Sequence, residues 1–269
     1  MAEMERIANH LGDIGAICND AAFALMHAHC GVLREDVLRT AEGCFGHRLM
    51  MDRIVPGGIA SDLDATGAGT LRKLVHHIRH RLPELVELYE NTVSLQDRTV
   101  GTGILKPEMA KRFGCGGFVG RASGRHFDVR KQPGYPPYEA LIFTIPVLNE
   151  GDVDARVWVR IRELEQSLSI IGQVLDHLGR AKSQPRTEVR IDPSAARGPA
   201  EGAALIEGFR GDIFVWIRLT ADATIDRCHL RDPSWFQWPL LEAVIEGNIV
   251  ADFPLCNKSF NCSYSGHDG

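Results

Sequence analysis

The sequence predicts an α+β fold, in which a mainly helical body is followed by a small antiparallel sheet. Apolar residues recur at intervals of three and four over residues 152–178, which is typical of a long amphipathic helix. Three short apolar runs near the C-terminal end have turn residues between them, which indicates strands. These runs are 204–208, 212–219 and 224–230. The expected organisation is a helical body over 1–180, a linker over 181–203, and the sheet with a tail over 204–269.

The composition is that of an ordinary soluble globular protein. The chain has 269 residues, of which 44% are hydrophobic and 24% charged, so it can bury a sizeable core. The formal net charge of −5 gives no basic excess, so we expect no nucleic-acid partner. No apolar run approaches the roughly 20 residues of a membrane span. Seven scattered cysteines, without a Cys-x-x-Cys pair, predict free and mostly buried thiols.

Helical periodicity predicts three helices before the long one. They cover residues 3–30, 33–51 and 69–93. Pro83 is expected to kink the third helix or to divide it in two. Because the chain begins inside a helix, with no strand or cap before it, we expect a longer N-terminal portion in the full gene product.

Residues 98–140 differ from the rest of the helical body. They contain eight glycines and four prolines, which predicts loops and short helices. Ordered loops of this length are usually functional. In the long helix that follows, charged residues fill the gaps between the apolar positions. These are Arg156, Arg160, Arg162, Glu163 and Glu165. Further on, the alternation over 213–218 predicts a sheet covered on both faces, and Asp232-Pro233-Ser234 predicts the start of a last short helix.

Six short motifs occur in an order and spacing that resemble one protein family. They are residues 5–11, 47–49 with 56–58, 96–103, 120–124 with 128–131, 150–156, and 207–212. The family comprises the large catalytic-core subunit of respiratory complex I, the NADH-quinone oxidoreductase, and the large subunits of membrane-bound nickel–iron hydrogenases, including formate hydrogenlyase. The resemblance covers nearly the whole chain and implies a nickel–iron hydrogenase large-subunit-like fold. Residues 228–260 look more like the hydrogenase branch.

The C-terminal tail departs from the hydrogenase pattern. In that branch the resemblance implies an Asp-Pro-Cys-x-x-Cys run that supplies two of four nickel-binding thiolates. Ser263 and Gly266 stand at the ligand positions here, and Cys262 is one residue out of place. The other thiolate pair would lie before residue 1. We therefore expect no metal in this chain.

The resemblance also implies where redox groups would lie. A histidine close to an iron–sulfur cluster follows the His-Arg-Leu turn in the family, and Met51 stands there in this sequence. The family's quinone-facing histidine and tyrosine would precede residue 1. We therefore expect this chain to bind no cofactor itself, with the iron–sulfur cluster in a partner subunit and quinone in the assembled complex.

Two sets of residues are the candidate sites that the resemblance supplies. The first is a loop near the cluster-bearing partner: Arg121, Ser123, Gly124, Asp128 and Arg130. Arginines beside an iron–sulfur cluster can raise its potential through charge and hydrogen bonds. The alternative is structural, an Arg–Asp pair that pins a glycine-rich loop. The second set is the turn signature: His47, Arg48, Pro56, Gly57 and Gly58. No catalytic residue is assigned.

The function implied is that of a subunit in a complex I-like or hydrogenase-like membrane-associated redox complex. Its expected partners are a small iron–sulfur subunit and membrane subunits, which would hold it peripherally at the cytoplasmic face of the membrane. It would support electron transfer toward a quinone-type acceptor without a nickel–iron centre, and is not expected to be active alone. The alternatives are a redox-inactive scaffold or interaction protein, and a formate hydrogenlyase-type hydrogenase large subunit.

Overall fold

A computed structural model describes residues 1–180 and 198–267. The helices are α1 (Ala2–Asp20), α2 (Ala24–Phe45), α3 (Ala65–Asn91), α4 (Val93–Thr99), α5 (Pro107–Arg112), α6 (Gly117–Ala122), α7 (Val153–Arg180), α8 (Ser234–Val244) and α9 (Phe253–Phe260). The strands are β1 (Ile54–Val55), β2 (Gly58–Ile59), β3 (Ala200–Glu207), β4 (Asp212–Leu219) and β5 (Ile225–Arg231). The α+β prediction is confirmed.

Helices α1 and α2 pack against each other as an antiparallel hairpin. Gly15 lies so close to α2 that a Cβ there would be 2.9 Å from the Cβ of Cys30. The predicted boundary between the first two helices, near residues 30–33, is wrong, because the turn lies at residues 21–23. Ala22 adopts a positive φ of 64° in that turn. No glycine or proline marks this turn, and apolar periodicity continues on both sides of it.

Helix α3 runs through Pro83 as one helix, so the expected division there is wrong. Pro83 is exposed, and water can therefore hydrate the carbonyl whose helical hydrogen bond the proline removes. The apolar stripe of Ile78, Leu82, Leu85 and Tyr89 remains buried across the proline. Burial of that stripe stabilises the helix on both sides of Pro83.

The long helix α7 lies where the periodicity predicts it, but its environment differs. Arg156, Arg160 and Glu163 are buried, whereas Arg162 and Glu165 face solvent. One side of α7 packs in the core with α1, α2 and α3, and the other packs against α6, α8 and α9. Most of the expected charged face is therefore inside the protein.

The three-stranded sheet is antiparallel in the order β3-β4-β5. The expected covering of both faces is wrong for the described residues, since β3 and β5 are largely exposed and β4 is half-buried. Glu207 and Asp212, at the turn between β3 and β4, are buried and fix this end of the sheet to the body. Most of the expected linker, residues 181–197, lies outside the described residues, and 200–203 belong to β3.

None of the described helices is both long and apolar enough to span a membrane. All seven cysteines are free, and five of them are buried, as the sequence predicts.

Candidate functional site

Charged side chains from distant parts of the chain meet inside the body and form a buried ionic cluster. Its members are Glu3, Arg6, His10, Arg121, Asp128, Arg130, Glu163 and Glu207. They are contributed by α1, α6, the loop after α6, α7 and the end of β3. A charge removed from water is costly unless it is paired, so each member depends on the others.

Arg121 is the hub of the buried ionic cluster. Its Nε lies 2.6 Å from Glu163 Oε1, and its Nη1 lies 2.8 Å from Glu207 Oε1 and 3.5 Å from Asp128 Oδ2. The same Nη1 donates to the carbonyl of Phe127. Three carboxylates therefore share one guanidinium, and no part of it reaches the surface.

Arg130 forms the second centre. Its Nη2 lies 2.6 Å from Asp128 Oδ2 and its Nη1 3.1 Å from Glu3 Oε1. Glu3 also accepts hydrogen bonds from the hydroxyls of Tyr138, at 2.7 Å, and Ser167, at 2.5 Å. The loop after α6 is thereby attached to the first turn of α1 and to α7.

His10 completes the buried ionic cluster from α1. Its Nε2 lies 2.8 Å from Glu163 Oε2. Its Nδ1 is buried without a hydrogen-bond partner among the described residues. Burial lowers the pKa of His10 more than the hydrogen bond to Glu163 raises it, so the ring is held neutral.

The carboxyl groups respond differently to the arginines around them. Burial alone would raise the pKa of Glu163, but Arg121 and His10 bring it well below its usual range. Burial likewise opposes Arg6 and Arg130 at Glu3, and the arginines prevail, with a pKa of about 2. At Glu207 burial outweighs Arg121, and the pKa is raised. Glu207 is therefore the carboxyl group of the cluster that protonates most readily.

The remaining residues of the predicted loop have backbone roles. The hydroxyl of Ser123 donates to the carbonyl of Val119. Gly124 adopts a φ of 79°, and its N–H donates to the carbonyl of Leu148. Gly151, at a φ of 69°, lies against the loop, and a Cβ there would be 2.2 Å from the carbonyl oxygen of Leu105. These contacts fix the loop against the start of α7.

The turn signature lies on the surface, away from the buried ionic cluster. Arg48 makes a two-pronged ion pair with Glu35, at 3.0 and 2.7 Å. His47 Nδ1 accepts the backbone N–H groups of Leu49 and Met51. Pro56, Gly57 and Gly58 form and follow the turn between β1 and β2.

The segment over residues 49–59, which we call the apolar segment, exposes several large side chains to solvent. They are Leu49, Met51, Ile54, Val55 and Ile59. Ile54 is 73% exposed and Met51 56%. Exposed apolar groups collected in one segment are typical of interaction surfaces.

In the C-terminal tail, the positions that resemble nickel ligands make structural hydrogen bonds. Ser263 Oγ accepts the N–H of Gly266 at 3.0 Å, and the Ser263 N–H donates to Ser234 Oγ at 2.8 Å. Burial raises the pKa of the Cys262 thiol to about 12. Within residues 1–180 and 198–267, no three His, Cys, Asp or Glu side chains are grouped to hold a metal ion.

The sequence pattern identifies only part of the buried ionic cluster. Arg121, Asp128 and Arg130 are in the predicted loop, and Arg6, His10 and Glu207 fall within the six family motifs without being singled out. Glu163 has the sequence pattern of a solvent-facing residue. One signal could have indicated that Glu163 is buried. Apolar residues lie on two faces of α7, and Glu163 lies between these faces.

Comparison with known proteins identifies relatives over nearly the whole chain. The family described as "Respiratory-chain NADH dehydrogenase, 49 Kd subunit" matches residues 20–197. A carbon monoxide-induced hydrogenase of Rhodospirillum rubrum is 29% identical over 96% of this chain and 70% of its own length. An NADH-quinone oxidoreductase subunit of Syntrophobacter fumaroxidans is 32% identical over 93% of this chain and 66% of its own length. The chain therefore spans about two thirds of these relatives.

The fold has a counterpart among solved structures. A chain in the structure of the membrane-bound sulfane sulfur reductase, an archaeal respiratory membrane complex, superposes with a TM-score of 0.90. The two are 29% identical, and the match covers 99% of this chain and 73% of that one.

Proposed function

Because the chain belongs to the family of the 49 kDa subunit of respiratory-chain NADH dehydrogenase, we propose that it is a subunit of a membrane-associated redox complex that supports electron transfer without a nickel–iron centre. Electrons would pass from an iron–sulfur cluster in a small partner subunit toward a quinone-type acceptor. The chain would sit peripherally at the cytoplasmic face of the membrane, held there by partner subunits.

The observation that carries the proposal is the exposure of the apolar segment. Met51 stands where the resemblance implies a cluster-proximal histidine, Ile54 lies three residues further along the same segment, and both are more than half exposed. Covering such side chains with a partner would remove apolar surface from water, which favours association. The iron–sulfur partner is therefore expected to dock on this segment.

The buried ionic cluster supports a role as a rigid scaffold. The buried ionic cluster is not exposed to solvent, so its arginines would not contact an iron–sulfur cluster in a partner. They would affect it only through long-range electrostatics and by fixing the position of the loop. Paired charges in a low-dielectric interior hold one geometry, because any shift leaves a charge unpaired. This geometry would keep the loop and the start of α7 fixed as electrons pass nearby.

The residues of the tail do not fit a nickel site. Gly266 has no side chain to offer, Ser263 is engaged in the turn, and the Cys262 thiol is buried with a raised pKa. A nickel–iron centre needs thiolate ligands, which are soft and deprotonated. In the proposed role, electrons therefore pass without a nickel centre in this chain.

Purification from native membranes tests the proposal. The chromosomal gene product, tagged at one end, should retain a small iron–sulfur subunit, identified by mass spectrometry and by electron paramagnetic resonance of its cluster. Elemental analysis should find iron without nickel. If no iron–sulfur subunit is retained, the chain is instead a redox-inactive scaffold or interaction protein.

The acceptor is tested on the same preparation. If the acceptor is a quinone, a soluble quinone analogue should reoxidise the reduced iron–sulfur cluster of the partner subunit. Because relatives include a hydrogenase and a sulfane sulfur reductase, proton reduction to hydrogen and reduction of polysulfide are measured beside it. Bound nickel together with hydrogen evolution would establish the hydrogenase alternative. Reduction of polysulfide without reduction of the quinone analogue would show that polysulfide, and not quinone, is the acceptor.

A further inference from the structure

A polar cavity of about 390 Å³ lies between α1, α2, the turn before β4 and the end of α9. It is separate from the buried ionic cluster. Three fixed cations line it: Arg34 from α2, Arg210 from the turn, and Lys258 from α9. Asn9 and Asn261 add amide groups to the wall.

Among the described residues, the wall contains one acidic side chain, Asp13, and its charge is already compensated. Asp13 Oδ2 lies 3.3 Å from Arg160 Nε and 3.0 Å from the Asn261 amide nitrogen, and Oδ1 lies 3.4 Å from Lys258 Nζ. Arg160 is itself fully buried. The cavity therefore carries a net positive charge, although the chain as a whole is at −5.

Arg34 and Arg210 have no carboxylate partner among residues 1–180 and 198–267. Arg210 uses only its Nε, which donates to the carbonyl of Asn261 at 2.6 Å, and its guanidinium lies over the Phe209 ring. The side chain of Arg34 passes over Gly12, where an added Cβ would be 3.1 Å from Arg34 Cδ. Both arginines are half-buried and also line a second cavity, of about 430 Å³. Their guanidinium groups therefore face open space.

We propose that the Arg34–Arg210–Lys258 cavity binds a small multivalent oxyanion, with carboxylate or phosphate groups bridging the two arginines and the lysine. Guanidinium groups bind carboxylate and phosphate oxygens in pairs, which gives geometry as well as charge compensation. The volume exceeds the need of a monatomic ion and suits an anion with several oxygens. Arg34 and Arg210 come from separate elements, so the anion would also link α2 to the β3–β4 turn.

Isothermal titration calorimetry on the full chain tests the site. Citrate and inorganic pyrophosphate are the probes, with acetate and chloride at matched ionic strength as monovalent references. The unmodified chain should bind a multivalent probe more tightly than either reference. The difference in affinity between citrate and pyrophosphate tells whether carboxylate or phosphate is the preferred chemistry.

Substitutions locate the site. Arg34→Gln and Arg210→Gln should each weaken binding by about tenfold, the effect of losing one charge-assisted hydrogen bond. Arg79→Gln is the matched control, because Arg79 is exposed on α3 and is not part of the cavity wall, and this variant should bind the probes like the unmodified chain. Arg34 has no hydrogen bond or ion pair to lose within the described ranges, so its variant should remain folded, as circular dichroism would verify.

Two results would overturn the proposal. One is the absence of binding heat for both multivalent probes with the folded, unmodified chain. The other is an equal loss of affinity in Arg79→Gln and Arg34→Gln, which would mean attraction to overall charge and not to this cavity. Neither result bears on the membrane-complex assignment, which rests on the family match and on the apolar segment.

Discussion

Arg121 and Glu163 are 42 positions apart in the sequence, yet their Nε and Oε1 atoms lie 2.6 Å apart with neither side chain exposed. Arg121 also pairs with Glu207 and Asp128. Replacing it with the apolar Arg121→Met would leave three buried carboxylates without their shared cation. We expect the free energy of unfolding, measured by urea titration, to fall by about 3–5 kcal/mol.

The matched control for that substitution is Arg72→Met. Arg72 pairs with Asp176 at 2.8 Å, but both side chains are about half exposed. An exposed pair contributes only about 0–1 kcal/mol. If both variants lose the same free energy of unfolding, the buried ionic cluster does not stabilise the fold more than a surface ion pair does.

Acid should weaken the fold partly through Glu3. The pKa of its carboxyl is lowered to about 2 because Arg6 and Arg130 overcome the effect of burial. A lowered folded-state pKa gives stability that is present above the unfolded pKa and is lost as pH falls through the folded one. Glu3→Gln should therefore flatten the pH dependence of the free energy of unfolding between about pH 5 and pH 2. If the unmodified chain and Glu3→Gln lose the same free energy of unfolding over this pH range, the lowered pKa of Glu3 does not contribute to acid unfolding.

Gly151 should tolerate no side chain. Its φ of 69° already favours glycine, and an added Cβ would be 2.2 Å from the backbone oxygen of Leu105. Gly101 has a similar φ of 75° but open space where a Cβ would lie. Gly101→Ala should cost about 1–2 kcal/mol for the left-handed backbone alone. Gly151→Ala should cost clearly more, as thermal unfolding of the two variants would reveal.

The apolar segment should make the isolated chain bind a hydrophobic dye and associate with itself. Ile54→Ser removes its most exposed member, and the dye fluorescence should fall while the free energy of unfolding changes by less than about 0.5 kcal/mol. Val93→Ser is the control, since Val93 is 81% exposed at the start of α4 and lies outside the segment. An equal fall in both variants would argue against a localised surface.

The sequence predicts some parts of this fold much better than others. Helix α7 and strand β4 agree with the prediction to within two residues at each end, because their apolar patterns are long or bounded by turn residues. The break between α1 and α2 could not be predicted, since Ala22 and its neighbours are not helix breakers. The exposure of β3 and β5 could not be predicted either, because alternation within a strand does not indicate what covers each face.

The candidate site shows a similar limit. Resemblance to the family identifies Arg121, Asp128 and Arg130, which are buried together in the ionic cluster. From the sequence pattern alone, Glu163 and Arg160 are predicted to face solvent. Contacts from α1, α6 and α9 make those positions interior: His10 and Arg121 reach Glu163, and Asp13 and Ser259 reach Arg160.

Arg6 connects α1 to the turn between β3 and β4. Its Nη1 and Nη2 donate to the carbonyls of Gly208 and Glu207, about 200 residues away, at 3.0 Å each. The carboxylate of Glu207 in turn pairs with Arg121 of the helical body at 2.8 Å, so the body and the sheet share a buried ion pair. Exchange of the β3–β5 region between relatives by recombination would succeed only where the donor carries an acid at position 207 and a compatible turn. The helical body and the sheet should therefore be inherited together.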